Sequence, residues 1–313
     1  SGMRSRMDER IDFSHTVTDG RWRYIRNYMP HRPWGQHQAY EWQARGYQDW
    51  EAAYRAGGLN AVQRRFFETK PFEELYDLRG DPHQIANRAG DPAAARVLKS
   101  MRSALDAHML AIHDNGFLPE GMAGEGYVES RNPAVYPLKA VMALAEAAAS
   151  GGAARLAMLR EHLASPVPVL RYWAATGMLI RGEAARGELA MLRTIVRSDP
   201  SPHVRVVAAE TAARLGDQEG VRQLAGIIDA PPSWQVQLQA INALTFVGEA
   251  AKAVLDTVRR AARIEQDQDY VRSAGRYLEA VLTGSYTPAT PIFELERMRQ
   301  RLGGPGGPAP GRN

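Results

Sequence analysis

The chain has 313 residues, 44% of them hydrophobic and 24% charged, with a formal net charge of +4 and no cysteine. These values are typical of a globular protein of about two domains. Without cysteine, the sequence offers no disulfide, no thiolate metal ligand and no cysteine nucleophile.

Signals for a compartment or for a charged partner are missing from the sequence. No apolar run reaches about 18 residues, and no basic start precedes an apolar stretch. We therefore expect neither a transmembrane helix nor a signal peptide. The basic residues are spread along the chain rather than gathered in one segment, which argues against a nucleic-acid partner. We expect no nucleic-acid and no membrane partner, and the localisation stays unknown.

The N-terminal part predicts a small antiparallel sheet. Residues 13–18 and 21–28 alternate as strands do, and Asp19-Gly20 between them is a hairpin signal whose two residues should take positive φ. A two-stranded ribbon is marginal in water, and the β-prone residues 75–78 supply the predicted third strand. Residues 79–82 end that strand, because Gly and Asp turn readily and Pro cannot donate to a ladder.

Helices are predicted around these strands. Residues 47–56 and 59–67 favour short helices between the second and third strands. Asp91 is the predicted N-cap of a longer helix with Pro92 in its first position, and Asn115-Gly116 is its predicted end. Residues 3–128 therefore form the first expected domain, a sheet with packed helices.

The second half of the chain contains an internal repeat. The aligned stretches are residues 169–175, 203–209, 235–241 and 270–276. Their third residues are Arg171, Arg205, Gln237 and Arg272, so successive copies are 34, 32 and 35 residues apart. A divergent copy begins near Pro133. Two helices in each period of about 35–45 residues indicate an α-solenoid, which we place at residues 129–302. The Gly/Pro-rich residues 303–313 are expected to be a disordered tail.

This repeat resembles HEAT repeats, in which Val-Arg followed by an Ala pair lies on one helix of each pair. The resemblance implies that each Arg reaches an Asp of a turn or of the adjacent repeat. Asp199, Asp229 and Asp267 are the expected partners. Gln237 departs from the pattern, so its repeat should be paired differently. The expected fold class is thus α+β followed by all-α.

The stretch Glu74-Leu75-Tyr76-Asp77-Leu78, then Asp81-Pro82-His83-Gln84 and Asn87, resembles the last strand of the small C-terminal sheet in sulfatase-like hydrolases. Asp19-Gly20-Arg21-Trp22-Arg23-Tyr24 resembles the entry to the same sheet in bacterial sulfatases of the heparan N-sulfatase type. Such sulfatases sometimes carry HEAT-like repeats. The resemblance implies that this chain is the C-terminal portion of an enzyme that hydrolyses a sulfuric ester or sulfamate on a glycan.

Catalytic residues of that family are missing from this sequence. The resemblance implies a formylglycine made from Cys or Ser in a Cys/Ser-x-Pro-x-Arg motif, and a calcium ion held by paired aspartates. Ser198-Asp199-Pro200 is the nearest match, but Pro202 stands where Arg is required. We therefore expect no cofactor in this chain, and calcium and formylglycine only in a catalytic domain ahead of it. The alternative function is a stand-alone HEAT-repeat module that binds a protein without catalysis.

Four residues are candidates for substrate binding: Arg4, Arg6, Arg10 and His31. In the resembling sulfatases this region borders the catalytic pocket, where Arg can hold a sulfate or carboxylate with two hydrogen bonds. The alternative is a solvated, charged terminus. Expected partners are a sulfated glycan, a protein, or a second copy that covers apolar surface of the sheet half. The tryptophans of residues 22–50 are either a sugar-stacking platform or aromatic packing.

We predict that this chain alone does not hydrolyse aryl sulfates or sulfamates, with or without calcium. The reason is that the nucleophile motif and the metal carboxylates are missing from its sequence. Release of the aryl alcohol, followed by absorbance, measures the activity. Calcium-dependent hydrolysis that Ser198→Ala abolishes would contradict the prediction.

Overall fold

The structure is a computed structural model that describes residues 1–4, 9–152, 155–265 and 269–301. Its only sheet within these residues has four antiparallel strands in sequential order. The strands are β1 (Gly2–Arg4), β2 (Ser14–Thr18), β3 (Trp22–Asn27) and β4 (Glu73–Asp77). The predicted hairpin and third strand are confirmed, and β1 is an addition that the sequence did not indicate.

The turn of the hairpin differs from the prediction. Of Asp19 and Gly20, only Gly20 has positive φ, at 92°. The Asp19 carboxylate instead accepts hydrogen bonds from the backbone N–H groups of Arg21 (2.9 Å) and Trp22 (2.7 Å). Four residues separate Thr18 from its paired residue Arg23, and Gly20 among them takes the left-handed conformation that the turn requires.

Short helices lie between and after these strands. They are α1 (Arg45–Arg55), α2 (Ala61–Arg64), which continues into a 3₁₀ turn, and α3 (Ala95–Ala111). Asp91 caps the turn that leads into α3 by accepting from the N–H of Ala93 at 2.8 Å, as predicted. The helix ends four residues before the predicted Asn115, because its last turn closes on the N–H of Ile112.

Ten further helices make up the rest of the described chain. They are α4 (Leu138–Ala149), α5 (Leu156–His162), α6 (Pro168–Arg181), α7 (Leu189–Ser198), α8 (Pro202–Arg214), α9 (Gln218–Asp229), α10 (Trp234–Val247), α11 (Leu255–Ala261), α12 (Asp269–Thr283) and α13 (Leu295–Arg301). The four repeated stretches lie in α6, α8, α10 and α12. Residues 303–313, the expected disordered tail, are outside the described residues.

The helices from α4 to α12 alternate between two layers. In the first layer α4, α6, α8, α10 and α12 pack in series, each against the next. In the second layer α5, α7, α9 and α11 pack against the first. Gly182, Gly216 and Gly248 follow first-layer helices with φ of 54°, 90° and 74°, which favours glycine.

The predicted Arg–Asp pairing holds for Asp199 and fails for Asp229. Arg171 donates to both carboxylate oxygens of Asp199, at 2.7 and 2.9 Å, and both side chains are buried. Asp229 does not pair with Arg205, since its carboxylate accepts from Arg260 of the second layer. The side chain of Gln237 donates to the carbonyl of Ile228 at 2.8 Å, so this repeat is indeed paired differently. Asp267 lies outside the described residues.

One hydrophobic core extends from the sheet into the helix layers. The Trp173 side chain on α6 is fully buried, and its ring centroid lies 5.3 Å from that of Phe13 and 6.0 Å from those of Tyr28 and Phe117. Its indole N–H donates to the Phe117 carbonyl at 3.0 Å. Residues on both sides of position 129 therefore share a core, and the domain division at that position stays a prediction.

Across residues 1–4, 9–152, 155–265 and 269–301, no helix is both long and apolar enough to span a membrane.

We predict that Ala208→Asp lowers the free energy of unfolding by more than about 4 kcal/mol, because it buries an unpaired charge. Ala208 lies on α8 and is fully buried. Ala104→Asp, at an exposed position inside α3, is the control, with a cost of less than about 1 kcal/mol from helix propensity. Urea denaturation measures both. Equal losses would show that the first layer does not pack as described.

Candidate functional site

The residues nominated from the sequence occupy different places. Arg4 lies in β1 opposite Ser14, and Arg6 lies outside the described residues. Arg10 and His31 belong to the two hairpin flanks, which we define as residues 9–13 and 28–39. These flanks run from the hairpin along the first-layer helices, so the structure brings Arg10 and His31 to one junction between the sheet and the repeats.

Arg10 is buried at this junction, with 1% of its surface exposed. Its Nε donates to the His37 carbonyl at 2.6 Å, and its Nη1 donates to the Asn242 side chain on α10. The guanidinium lies 5.2 Å from the ring centroid of Tyr277 on α12. Asn242 in turn donates to the Glu9 carbonyl at 2.8 Å. Arg10 therefore ties both hairpin flanks to two repeat helices.

A second buried arginine, Arg32, pairs with Glu210 on α8. Its Nη2 donates to the two carboxylate oxygens at 2.7 and 2.6 Å, and both side chains are about 5% exposed or less. The guanidinium also lies 3.7 Å from the ring centroid of Phe246. Burial lowers the pKa of Arg32, and the Glu210 carboxylate opposes that shift. Sequence reasoning missed this pair, since its members are 178 residues apart.

The space beside this pair is small. A cavity of about 20 Å³ is lined by Arg32, Gln36, Glu210, Gln239 and Asn242, among others. That volume holds about one water molecule, and a sugar ring does not fit. The junction at Arg32 is therefore a packed interface and not a substrate pocket.

His31 lies at the junction with both ring nitrogens buried and without a hydrogen-bond partner among the described residues. Burial lowers its pKa well below the usual value, and the cationic side chains of Arg32, Arg214 and Lys70 lower it further. The ring is therefore neutral near pH 7.

His37 is enclosed by aromatic rings. Its ring stacks on that of Tyr277 with a centroid distance of 4.0 Å and lies 4.8 Å from the ring of Trp42. Neither ring nitrogen has a hydrogen-bond partner within the described part of the chain. Burial, with the nearby charges of Arg10 and Arg55, lowers the pKa of His37 to about 2.

An ion pair links the first hairpin flank to the start of the β4 segment. Lys70 Nζ lies 2.6 Å from the Asp12 carboxylate, and both side chains are fully buried. The ammonium also lies 4.6 Å from the ring centroid of Trp34. The signal that could have indicated this pair is the rarity of Lys, which occurs only at positions 70, 99, 139 and 252 of an Arg-rich chain.

The tryptophans of residues 22–50 have separate surroundings. Trp42 is buried and donates to Glu51 at 2.6 Å, and Trp50 stacks on Phe66 with a centroid distance of 4.4 Å. Trp22 lies beside the guanidinium of Arg21, and Trp34 beside Lys70. Aromatic packing accounts for Trp42 and Trp50.

Ser198, the serine of the nearest match to the sulfatase motif, is the last residue of α7. The Ser198 hydroxyl donates to the Thr194 carbonyl at 2.8 Å, as a helical serine commonly does. Within the ranges that the structure describes, no group of three or more His, Asp or Glu side chains could hold a metal ion.

Comparison with known proteins supports both halves of the resemblance at a coarse level. Residues 189–279 match the family of HEAT repeats. The ulvan-active sulfatase of Formosa agariphila is 34% identical over 116 residues, which are 37% of this chain and 20% of that protein. The chain thus spans about a fifth of the length of this relative. It shows weak homology to a sulfatase, and residues 189–279 are similar to HEAT repeats. No solved structure matches it.

We predict that Arg32→Ala lowers the free energy of unfolding by about 3–5 kcal/mol, because it leaves the buried Glu210 carboxylate unpaired. The double variant Arg32→Met/Glu210→Met should lose much less, since no charge remains buried. Arg45→Ala removes a surface pair with Asp49 and is the control, with little expected effect. Urea denaturation gives the three values. A double variant as unstable as Arg32→Ala would contradict the pairing.

We predict that His37 makes the free energy of unfolding decrease as the pH is lowered below 6.5. Its folded pKa is lowered to about 2 from the usual 6.5, so below pH 6.5 the unfolded chain binds the proton and the folded chain does not. The stability is full above pH 6.5 and declines by about 2 kcal/mol between pH 6.5 and pH 5. His37→Phe keeps the ring stack and should reduce this slope, whereas His83→Phe at an exposed site should not. Equal slopes in all three proteins would refute the prediction.

Proposed function

We propose that this chain is the C-terminal part of a sulfatase-like hydrolase, in which a small sheet is followed by a HEAT-like α-solenoid. The reaction of the whole enzyme is hydrolysis of a sulfuric ester or sulfamate on a glycan. The observation that carries the proposal is the 34% identity over 116 residues to a sulfatase that is named as active on ulvan. The motifs at residues 19–24 and 74–87 favour the heparan N-sulfatase type.

In this proposal the nominated residues have two roles. Arg10 positions the hairpin flanks on the repeats, as its burial and hydrogen bonds support, and His31 adds a neutral ring whose nitrogens are buried. Arg4 and Arg6 precede the buried Arg10 and are the candidates for contact with a sulfate group. Formylglycine and calcium belong to a catalytic domain ahead of these residues, and a sulfated glycan is the substrate class.

The second candidate function is a stand-alone HEAT-repeat module that binds a protein. The match of residues 189–279 to HEAT repeats favours it. The hairpin flanks already contact α6, α8, α10 and α12 through the side chains of Phe13, Arg32, Arg10 and His37. A protein partner would therefore bind elsewhere, on the second layer or at the end of the repeats.

The reading frame upstream of Met3 in the genome separates the two functions. We predict a continuous frame that contains Cys/Ser-x-Pro-x-Arg, and aryl sulfatase activity in the joined protein. Replacing the Cys or Ser of that motif by Ala should abolish the activity, and this variant is the matched control. A genuine start at Met3 without such a frame would refute the sulfatase proposal and favour the interaction module.

A further inference from the structure

A cleft of about 430 Å³ lies at the end of the repeats, open to solvent. It is formed by α12, the segment after α11 and the segment of residues 284–292 that follows α12. This volume lies within the range of small-ligand sites, whereas the cavity beside Arg32 holds about one water molecule. Nothing in the sequence analysis or in the proposed function assigns it a role.

The charge of the cleft is positive. Its lining contains the guanidinium groups of Arg263, Arg272 and Arg276 and a single carboxylate, that of Glu279. Arg272 and Arg276 share the carboxylate of Glu294, so one anion serves two cations. The buried Nε of Arg276 has no hydrogen-bond partner among the described residues. Arg263 contacts Glu279 at 3.1 Å, yet its side chain is 62% exposed. The cleft therefore has donor capacity left for an oxyanion.

The remaining lining suits a polyhydroxylated ligand. The hydroxyls of Thr283 and Ser285 line the cleft and donate to the backbone carbonyls of Glu279 and Ala280. Each hydroxyl oxygen keeps the capacity to accept a hydrogen bond from a ligand hydroxyl, as does the Glu279 carboxylate. Small apolar groups of Ala280 and Ile292 form the rest of the wall. An arginine cluster can also hold an acidic peptide, but the acceptor groups beside these arginines favour a ligand that carries hydroxyls as well as an anion.

We propose that this cleft binds an acidic saccharide, with its sulfate or carboxylate group on the arginines and its hydroxyls on the Thr, Ser and Glu side chains. The ligand class rests on the proposed function, in which the enzyme acts on a sulfated glycan. The cleft then holds one acidic unit of a polysaccharide.

Ligand-observed NMR titration of the full chain tests the proposal with four probes: galactose 6-sulfate, galactose, sodium sulfate and a hexaglutamate peptide. We expect a Kd of about 1 mM for the sulfated sugar. The other three probes should bind at least about tenfold more weakly, because each lacks either the oxyanion or the hydroxyls.

Matched variants locate the binding. Arg263→Gln should weaken galactose 6-sulfate about tenfold, as expected when one charged hydrogen bond is lost. Arg260→Gln is the control, since Arg260 is also an exposed second-layer arginine, 60% exposed, but pairs with Asp229 outside the cleft. Ser285→Trp, at an exposed position, should fill the cleft and abolish binding while the arginines remain.

Several outcomes would overturn the proposal. The first is that galactose 6-sulfate does not bind, and the second is that sodium sulfate or the peptide binds as tightly as the sulfated sugar. The third is that Arg260→Gln and Arg263→Gln lose equal affinity for the sulfated sugar. Equal binding of sulfate would indicate a simple anion site, and equal binding of the peptide would indicate a protein partner. Because binding is measured without catalysis, its failure leaves the upstream motif as a separate test of the sulfatase proposal.

Discussion

Burial of Trp173 joins the two halves of this molecule. Its ring, on the first repeated helix, lies among Phe13, Tyr28 and Phe117 of the N-terminal half, and none of these four side chains is more than 1% exposed. Separating the halves would return this aromatic surface to water at a cost of several kcal/mol, about 1.5–3 kcal/mol for each large side chain. The sheet half and the first layer of helices therefore share one hydrophobic core, and each half buries apolar side chains of the other.

Around this aromatic centre the junction is lined by buried charges. Arg32 with Glu210, Arg10 with Asn242, and Lys70 with Asp12 each connect elements distant in sequence. Buried pairs of this kind add little net stability but make wrong arrangements costly, because a misplaced charge would be left unpaired. They set the position of the hairpin flanks along the repeats. In consequence the junction beside Arg32 has no room for a ligand, and the cleft lined by Arg263, Arg272 and Arg276 is a separate surface.

The sequence predicted most local elements and fewer of the contacts between them. The hairpin, β4 and the helices of the four repeats followed from alternation, turn residues and spacing. The strand β1 was missed, since a three-residue segment carries no period. Asp229 was expected to accept from an arginine of the repeat pattern and instead accepts from Arg260, because a repeat pattern in the sequence does not specify which arginine a carboxylate meets. The homology to a sulfatase was recognised from motifs and is supported over 116 residues.

By itself, the sequence determined where helices and strands form and that the second half repeats, because both depend on neighbours within about 40 residues. Only the tertiary structure decided what the nominated residues do. Arg10 and Asn242 are 232 residues apart, and no local pattern distinguishes a solvated arginine from one buried against a distant helix. Burial also set the neutral state of His31 and His37, since the cost of a charge away from water depends on every element packed around it.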